Sequence, residues 1–130
     1  VVAPADREFV TVEDFLPAGL EPIDASLKTT DPALILKLQK DRTAAQQRGA
    51  AGSTVAPWYP WYWSPFGEAT IRDDRVVLRA TTLPKGVHEY VYYARVTTPG
   101  DFYIAPAHAE EGQFPEVFGR SDSGRFVVQP

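Results

Sequence analysis

At 130 residues and 14.4 kDa, the chain has the length of one domain with a single hydrophobic core. Hydrophobic residues at 44% and charged residues at 23% exclude disorder as the overall state. A net charge of −4 with no basic stripe argues against nucleic acid as a partner.

Residue types that are missing narrow the chemistry further. Cysteine is absent, which removes disulfides, thiolate zinc sites and cysteine nucleophiles together. It leaves the redox compartment open. His88 and His108 are the two histidines, so one chain cannot build a three-histidine metal site. No apolar run approaches the roughly 18 residues of a membrane-spanning helix, and the N-terminus carries no signal-peptide pattern. The chain opens Val1-Val2 and contains no methionine. It is therefore expected to be a processed chain or an excised fragment.

Proline at 12 and glycine at 9 favour many short elements joined by turns. Glu8 to Val12 reads as a first strand, ended by the turn signal Leu16-Pro17-Ala18-Gly19. Asp31-Pro32 opens a helix expected over about 32–48, with Asp31 as N-cap, Pro32 at the first helical position and Gly49 as the stop. Leu34, Leu38 and Ile35 give it an apolar stripe that fades beyond Leu38, while Lys37, Lys40 and Asp41 are expected to face elsewhere. Arg75 to Thr82 reads as a strand with Val76, Leu78 and Ala80 on one face, followed by a hairpin-like turn at Leu83-Pro84-Lys85-Gly86. His88 to Thr97 is the strongest strand pattern, with His88, Tyr90, Tyr92, Ala94 and Val96 expected inward. Thr98-Pro99-Gly100 turns the chain, and short strands follow at 102–104 and 125–128.

Short strands at spacings of about 8–12 residues predict an all-β fold. The expected architecture is an antiparallel, fibronectin-like β-sandwich of about seven strands. One domain spans 1–130, with a helix and an aromatic loop inserted at about 25–68. The expected core is Val10, Val12, Leu20, Val76, Leu78, Tyr90, Tyr92, Ala94, Val96, Phe102, Ile104, Phe126 and Val128.

The densest chemical feature is the run Trp58-Tyr59-Pro60-Trp61-Tyr62-Trp63-Ser64-Pro65-Phe66. Its prolines exclude a regular central strand. A loop folding its rings onto the domain is the preferred reading, because exposed apolar patches of that size are rare. An exposed platform of Trp58, Tyr59, Trp61 and Trp63 for a partner or a sugar ring is the alternative. The acidic pairs Asp73-Asp74 and Glu110-Glu111 are expected as solvated turn charges, since adjacent residues of a strand point to opposite faces. His88 is expected to be packed or at an edge, and His108 exposed in a loop. Ser64, Ser121 and Ser123 lack the strand–elbow–helix setting of a serine nucleophile, and Gly119-Arg120-Ser121 is too short for a phosphate loop. No enzyme, metal or cofactor is expected.

Three stretches carry a resemblance. They are Phe9 to Pro22; Arg72-Asp73-Asp74-Arg75-Val76-Val77-Leu78 continuing to Leu83-Pro84-Lys85-Gly86; and Tyr93 to Phe102 followed by Pro106-Ala107-His108-Ala109-Glu110-Glu111 and Pro115 to Ser121. In order and spacing they resemble the C-terminal macroglobulin-like domain of the bacterial α2-macroglobulins. The likeness covers about residues 7–128 apart from 25–68. It implies a non-catalytic end domain of a large, periplasmic or surface-anchored, broad-spectrum endopeptidase inhibitor. In that family a protease cuts a bait region and is entrapped as the molecule rearranges. Many members hold an internal Cys–Gln thioester in an upstream helical domain. This cysteine-free chain cannot contain that bond and is expected at most to cover it.

The loop implied for such a cover is Glu111, Gly112, Gln113, Phe114, Pro115 and Glu116. Many bacterial members place a Met-Tyr pair before the Pro-Glu-Val motif, where this chain has Gly112-Gln113 followed by Phe114. Implied partners are the neighbouring domains of the parent chain and, through the parent, proteases. A shortened first strand at Val1-Val2 adds the expectation of edge-to-edge dimerisation. A carbohydrate-binding sandwich using residues 58–66 is the competing function.

Overall fold

A computed structural model describes residues 1–24, 30–52 and 66–130. The chain runs β1 (Val2–Ala3), β2 (Arg7–Phe15), β3 (Leu20–Pro22), α1 (Pro32–Gly52), β4 (Glu68–Ile71), β5 (Arg75–Leu83), β6 (Gly86–Val87), β7 (Ala94–Val96), β8 (Gly100–Ile104), β9 (His108–Glu111), β10 (Phe118–Arg120) and β11 (Gly124–Val128). This is an antiparallel β-sandwich with one helix among the described residues, as the alternation predicts. Strands number eleven there rather than about seven, because β1, β3, β6, β7 and β10 are fragments of two or three residues.

The first layer has the order β10-β9-β2-β5-β4. Its spine is the pairing of β2 with β5, which skips Phe9 and in which Val10 lies opposite Ala80 and Val12 opposite Leu78. Alternation puts Val10, Val12, Val76, Leu78 and Ala80 on one buried face. Asp73-Asp74 sits exposed at the β4–β5 bend, where the Asp74 carbonyl accepts a bond from Leu16 N at 2.9 Å. Those two carboxylates are turn charges, as expected.

The second layer consists of the two-stranded ladders β1–β6, β3–β7 and β8–β11. The turn at 83–86 is thus a corner that carries the chain from one layer to the other, and not a hairpin. Pro84 cannot donate to a ladder, Lys85 N is held by the Asp6 carboxylate at 2.7 Å, and Gly86 has φ 137°, a conformation suited to glycine.

Residues 88–93 depart from the expected continuous strand. They form no ladder of their own. His88 N bonds Val1 O at 2.8 Å, and Ile23 N bonds Tyr93 O at 2.8 Å. Between these points α1 takes the place of a neighbouring strand. Arg42 Nε donates to the Val91 carbonyl at 2.8 Å, and Arg42 Nη2 donates to the Tyr90 hydroxyl at 2.9 Å. The Asp41 carboxylate accepts a hydrogen bond from the Tyr93 hydroxyl, and Lys37 Nζ lies 5.7 Å from the centre of the Tyr93 ring. Lys37 and Asp41 therefore face this segment, contrary to expectation. Leu38 and Ala45 are buried on the same face of the helix.

The helix starts as predicted. Asp31 Oδ1 accepts from Ala33 N at 2.9 Å, and its carbonyl accepts from Leu34 N and Ile35 N at 3.1 Å. It continues to Gly52, three residues past the expected stop at Gly49.

The buried cluster joins Ala3, Val10, Val12, Phe66, Val76, Leu78, Ala80 and Leu83, with Leu16, Ile71, Tyr90, Tyr92 and Ala109 partly buried against it. Two expectations about the core change. Val96 is 52% exposed, on a three-residue strand at the rim. Leu20, Phe102, Ile104, Phe126 and Val128 are half-buried rather than central.

Candidate functional site

β9 and β10 form an antiparallel hairpin at the edge of the first layer, and the loop 112–117 is its tip. Glu110-Glu111 therefore lies in a strand, and not in a turn as expected. β9 pairs with β2, with Glu110 opposite Thr11 and Glu111 opposite Val10. The two carboxylates point to opposite faces and do not converge. Glu111 Oε1 accepts a bond from Glu8 N at 3.2 Å. His108 is likewise in β9 and half-buried, with Nε2 at 3.4 Å from Glu110 Oε2.

Backbone bonds close the loop. Glu111 N donates to Val117 O at 3.1 Å and Val117 N to Phe114 O at 2.9 Å. Gly112 N donates to the carbonyl of Phe9 at 2.8 Å, clamping the hairpin to β2. A Cβ at Gly112 would lie 3.3 Å from that carbonyl oxygen, so glycine permits the close approach. Phe9 itself has φ 53°, which is unusual for a residue that is not glycine. The expected cover residues thus have distinct places. Glu111 is half-buried, while Gly112, Gln113, Phe114, Pro115 and Glu116 are all exposed.

Around the loop stand aromatic rings with large exposed fractions: Phe9 at 47%, Phe114 at 54% and Phe118 at 55%. Phe118 stacks on His108 with ring centroids 5.9 Å apart and planes at 25°, and the Arg120 guanidinium lies 5.4 Å from the Phe118 ring centre. Phe9 and Phe118 were not singled out by sequence reasoning. The adjacent apolar pair Phe9-Val10 in an alternating strand is the signal that one ring must face outward.

Trp58, Tyr59, Trp61 and Trp63 lie outside the described residues. Phe66, the last ring of that run, is buried in the core and meets Tyr90 edge-on at 6.2 Å and 86°. Among the described residues no three His, Asp or Glu side chains gather as a metal site, and no helix is long and apolar enough to cross a membrane.

An exposed, backbone-clamped hairpin loop with aromatic rings and no converging acid, base or nucleophile suits contact with a protein surface. Residues 1–116 match the family model described as the bacterial alpha-2-macroglobulin MG10 domain. The chain belongs to this family.

Relatives of this macroglobulin domain are parts of much larger proteins. A curated alpha-2-macroglobulin homolog of Nostoc sp. is 30% identical over 122 residues, which is 94% of this chain and 5% of the relative. A crystal structure of Salmonella alpha-2-macroglobulin reacted with methylamine is 25% identical with a TM-score of 0.65, over 99% of this chain and 7% of that one. Escherichia coli alpha-2-macroglobulin activated by porcine elastase shares the fold at 22% identity and a TM-score of 0.70, over 99% of this chain and 10% of that one. The macroglobulin domain is thus a small piece of each, set among neighbouring domains. Family membership does not favour the carbohydrate-binding alternative.

Proposed function

We propose that this chain is a non-catalytic, C-terminal domain of a bacterial α2-macroglobulin that traps proteases, and that its loop 111–116 packs on a neighbouring domain of the same polypeptide. The observation that carries the reading is the hairpin loop itself. Phe114 is held outward by the bonds at Gly112 and Val117, on a domain of this family. An apolar ring that is exposed in the isolated domain and fixed in place gains free energy when a second surface covers it. A periplasmic or cell-surface location belongs to the same proposal.

Two relatives support the functional half. The E. coli protein was activated by an elastase and the Salmonella protein reacted with methylamine. A thioester in the parent would lie outside this chain, which has no cysteine. The part left to the loop is to keep water away from such a bond until the domains move. In this reading Phe114, the one aromatic ring of the loop, supplies the cover.

The test uses the full-length parent. Free thiol is titrated before and after methylamine, in the native protein and in Phe114→Ala. Release of one thiol per chain on treatment, with earlier spontaneous release in Phe114→Ala, supports the cover. Equal behaviour of the two proteins contradicts it, and no release at all makes the domain a structural part of a thioester-free parent.

A further inference from the structure

The sandwich is open on one side, between β1 and β10. A cleft of about 520 Å³ separates them. Its floor is apolar, with Ala3, Val10, Val12 and Leu83 buried beneath it. β10 is the outermost strand of its sheet, paired with β9 alone.

The hydrogen-bond pattern tells which groups of β10 are spent. Glu111 N bonds Val117 O at 3.1 Å and Ser121 N bonds Ala107 O at 3.0 Å. In an antiparallel ladder alternate residues bond to one side. Residues 117, 119 and 121 therefore face β9, and the N–H and C=O groups of Phe118 and Arg120 face the open edge. Gly119 lies opposite Ala109, and Ala109 opposite Val12. The side-chain position of Gly119 is thus on the core-facing side, at the cleft, and a Cβ built there meets nothing within 4 Å. Arg120 is exposed, with its guanidinium over the Phe118 ring and no carboxylate paired to it among the described residues.

We propose that the β10 edge takes an extended segment of a partner protein as an added antiparallel strand, with a bulky apolar side chain over Gly119 and an acidic residue opposite Arg120. Main-chain bonds to Phe118 and Arg120 give such a strand its register. The vacant volume above Gly119 takes the apolar anchor, and charge complementarity at Arg120 sets the direction of the chain. The carboxylates of Glu110 and Glu111 lie toward the other end of the hairpin and disfavour an acidic residue there. Read from its N-terminus, the segment runs acidic, bulky apolar, β-branched. This is independent of the covering role of loop 111–116, since it uses the strand edge and the inner cleft rather than the exposed tip.

The probe is the blocked pentapeptide Thr-Glu-Leu-Val-Thr, titrated into the 130-residue chain and followed by NMR. The expected result is saturable shifts at the amides of Phe118 and Arg120 and the methyls of Val10, Val12 and Leu83, half-saturating near or below about 1 mM. Replacing Glu by Lys in the peptide weakens binding about threefold. Gly119→Val fills the anchor position and weakens it about tenfold or more. Gly119→Ala, a smaller addition in open space, serves if the valine variant does not fold, with a loss of about threefold expected. Absence of shifts overturns the proposal, as do shifts that survive Gly119→Val unchanged. The same methyl shifts appearing with protein concentration alone, together with a dimer in sedimentation, would assign the cleft to a second copy and overturn the peptide occupant.

Discussion

Gly19 shows how one residue decides a joint between layers. A Cβ there would come within 2.3 Å of the Phe102 ring, far inside contact distance. The Phe102 ring of β8 therefore fills the space that a side chain at position 19 would need. Gly19→Ala is expected to cost about 1–3 kcal/mol by overpacking. Gly124→Ala, whose Cβ would make an ordinary contact at 3.7 Å with Ile104, should stay within about 0.5 kcal/mol of the parent chain. Urea denaturation of the two variants measures the difference, and equal losses would refute this reading of the joint.

Tyr92 is a second residue with a measurable signature. Its hydroxyl donates to Asp14 Oδ2 at 2.5 Å, tying residues 88–93 to β2. Burial, then the bond and the charge of Asp14, raise its phenol well above the ordinary value of 10.0. Tyr93 is raised too, chiefly by its bond to Asp41. The unfolded chain releases these protons near pH 10 while the folded chain holds them. The stability they contribute is therefore complete below pH 10 and is lost as the pH rises beyond it. Tyr92→Phe should cost about 1–3 kcal/mol at neutral pH, because Asp14 loses its donor. The gap should narrow in alkali. Urea midpoints of the two chains that run parallel above pH 10 would contradict this.

At the scale of elements, α1 explains what alternation could and could not reveal. Its start was legible, because Asp31-Pro32 combines a side-chain cap with a residue needing no hydrogen-bond donor. Its packed face was not legible beyond Leu38. That face continues through Asp41, Arg42 and Ala45, in which hydroxyl and carbonyl bonds replace apolar contact. Hydrophobic periodicity cannot register a face that is half polar. The same polar face explains the misread 88–93 segment. Its residues have strand chemistry, but Arg42 occupies the position of a ladder partner. Leu38→Ala should cost about 2–5 kcal/mol, since Leu38 is 3% exposed, whereas Leu36→Ala on the exposed face should be near neutral. Thermal unfolding of both variants tests which face is packed.

β5 was the most legible strand, because its nine residues give the period of two room to show, whereas the reading of Glu8 to Val12 caught only part of β2. β9 was hidden by Pro106 before it and by its own acidic pair. Its place beside β2 comes from tertiary pairing and not from local propensity. The candidate loop was found through a family motif. Its chemistry alone, one ring among glycine, glutamine, proline and glutamate, does not mark a site. The clamp to Phe9 that holds it is a contact between residues far apart in sequence, and no local pattern announces such a contact.

At the scale of the whole molecule, the domain corresponds to a small part of relatives many times its length. In the proposed reading, neighbouring domains cover the exposed rings of Phe9, Phe114 and Phe118, and rearrangement of those neighbours is the event this surface would report. In the proposed reading the parent entraps proteases. The most direct measurement incubates full-length parent with porcine elastase and follows cleavage of a small peptide substrate and of a large protein substrate in parallel. Entrapment predicts that elastase co-elutes with the parent, keeps cleaving the small substrate and loses most activity on the large one, which cannot enter the enclosure. Elastase that elutes free and cleaves both substrates at undiminished rates would contradict the account.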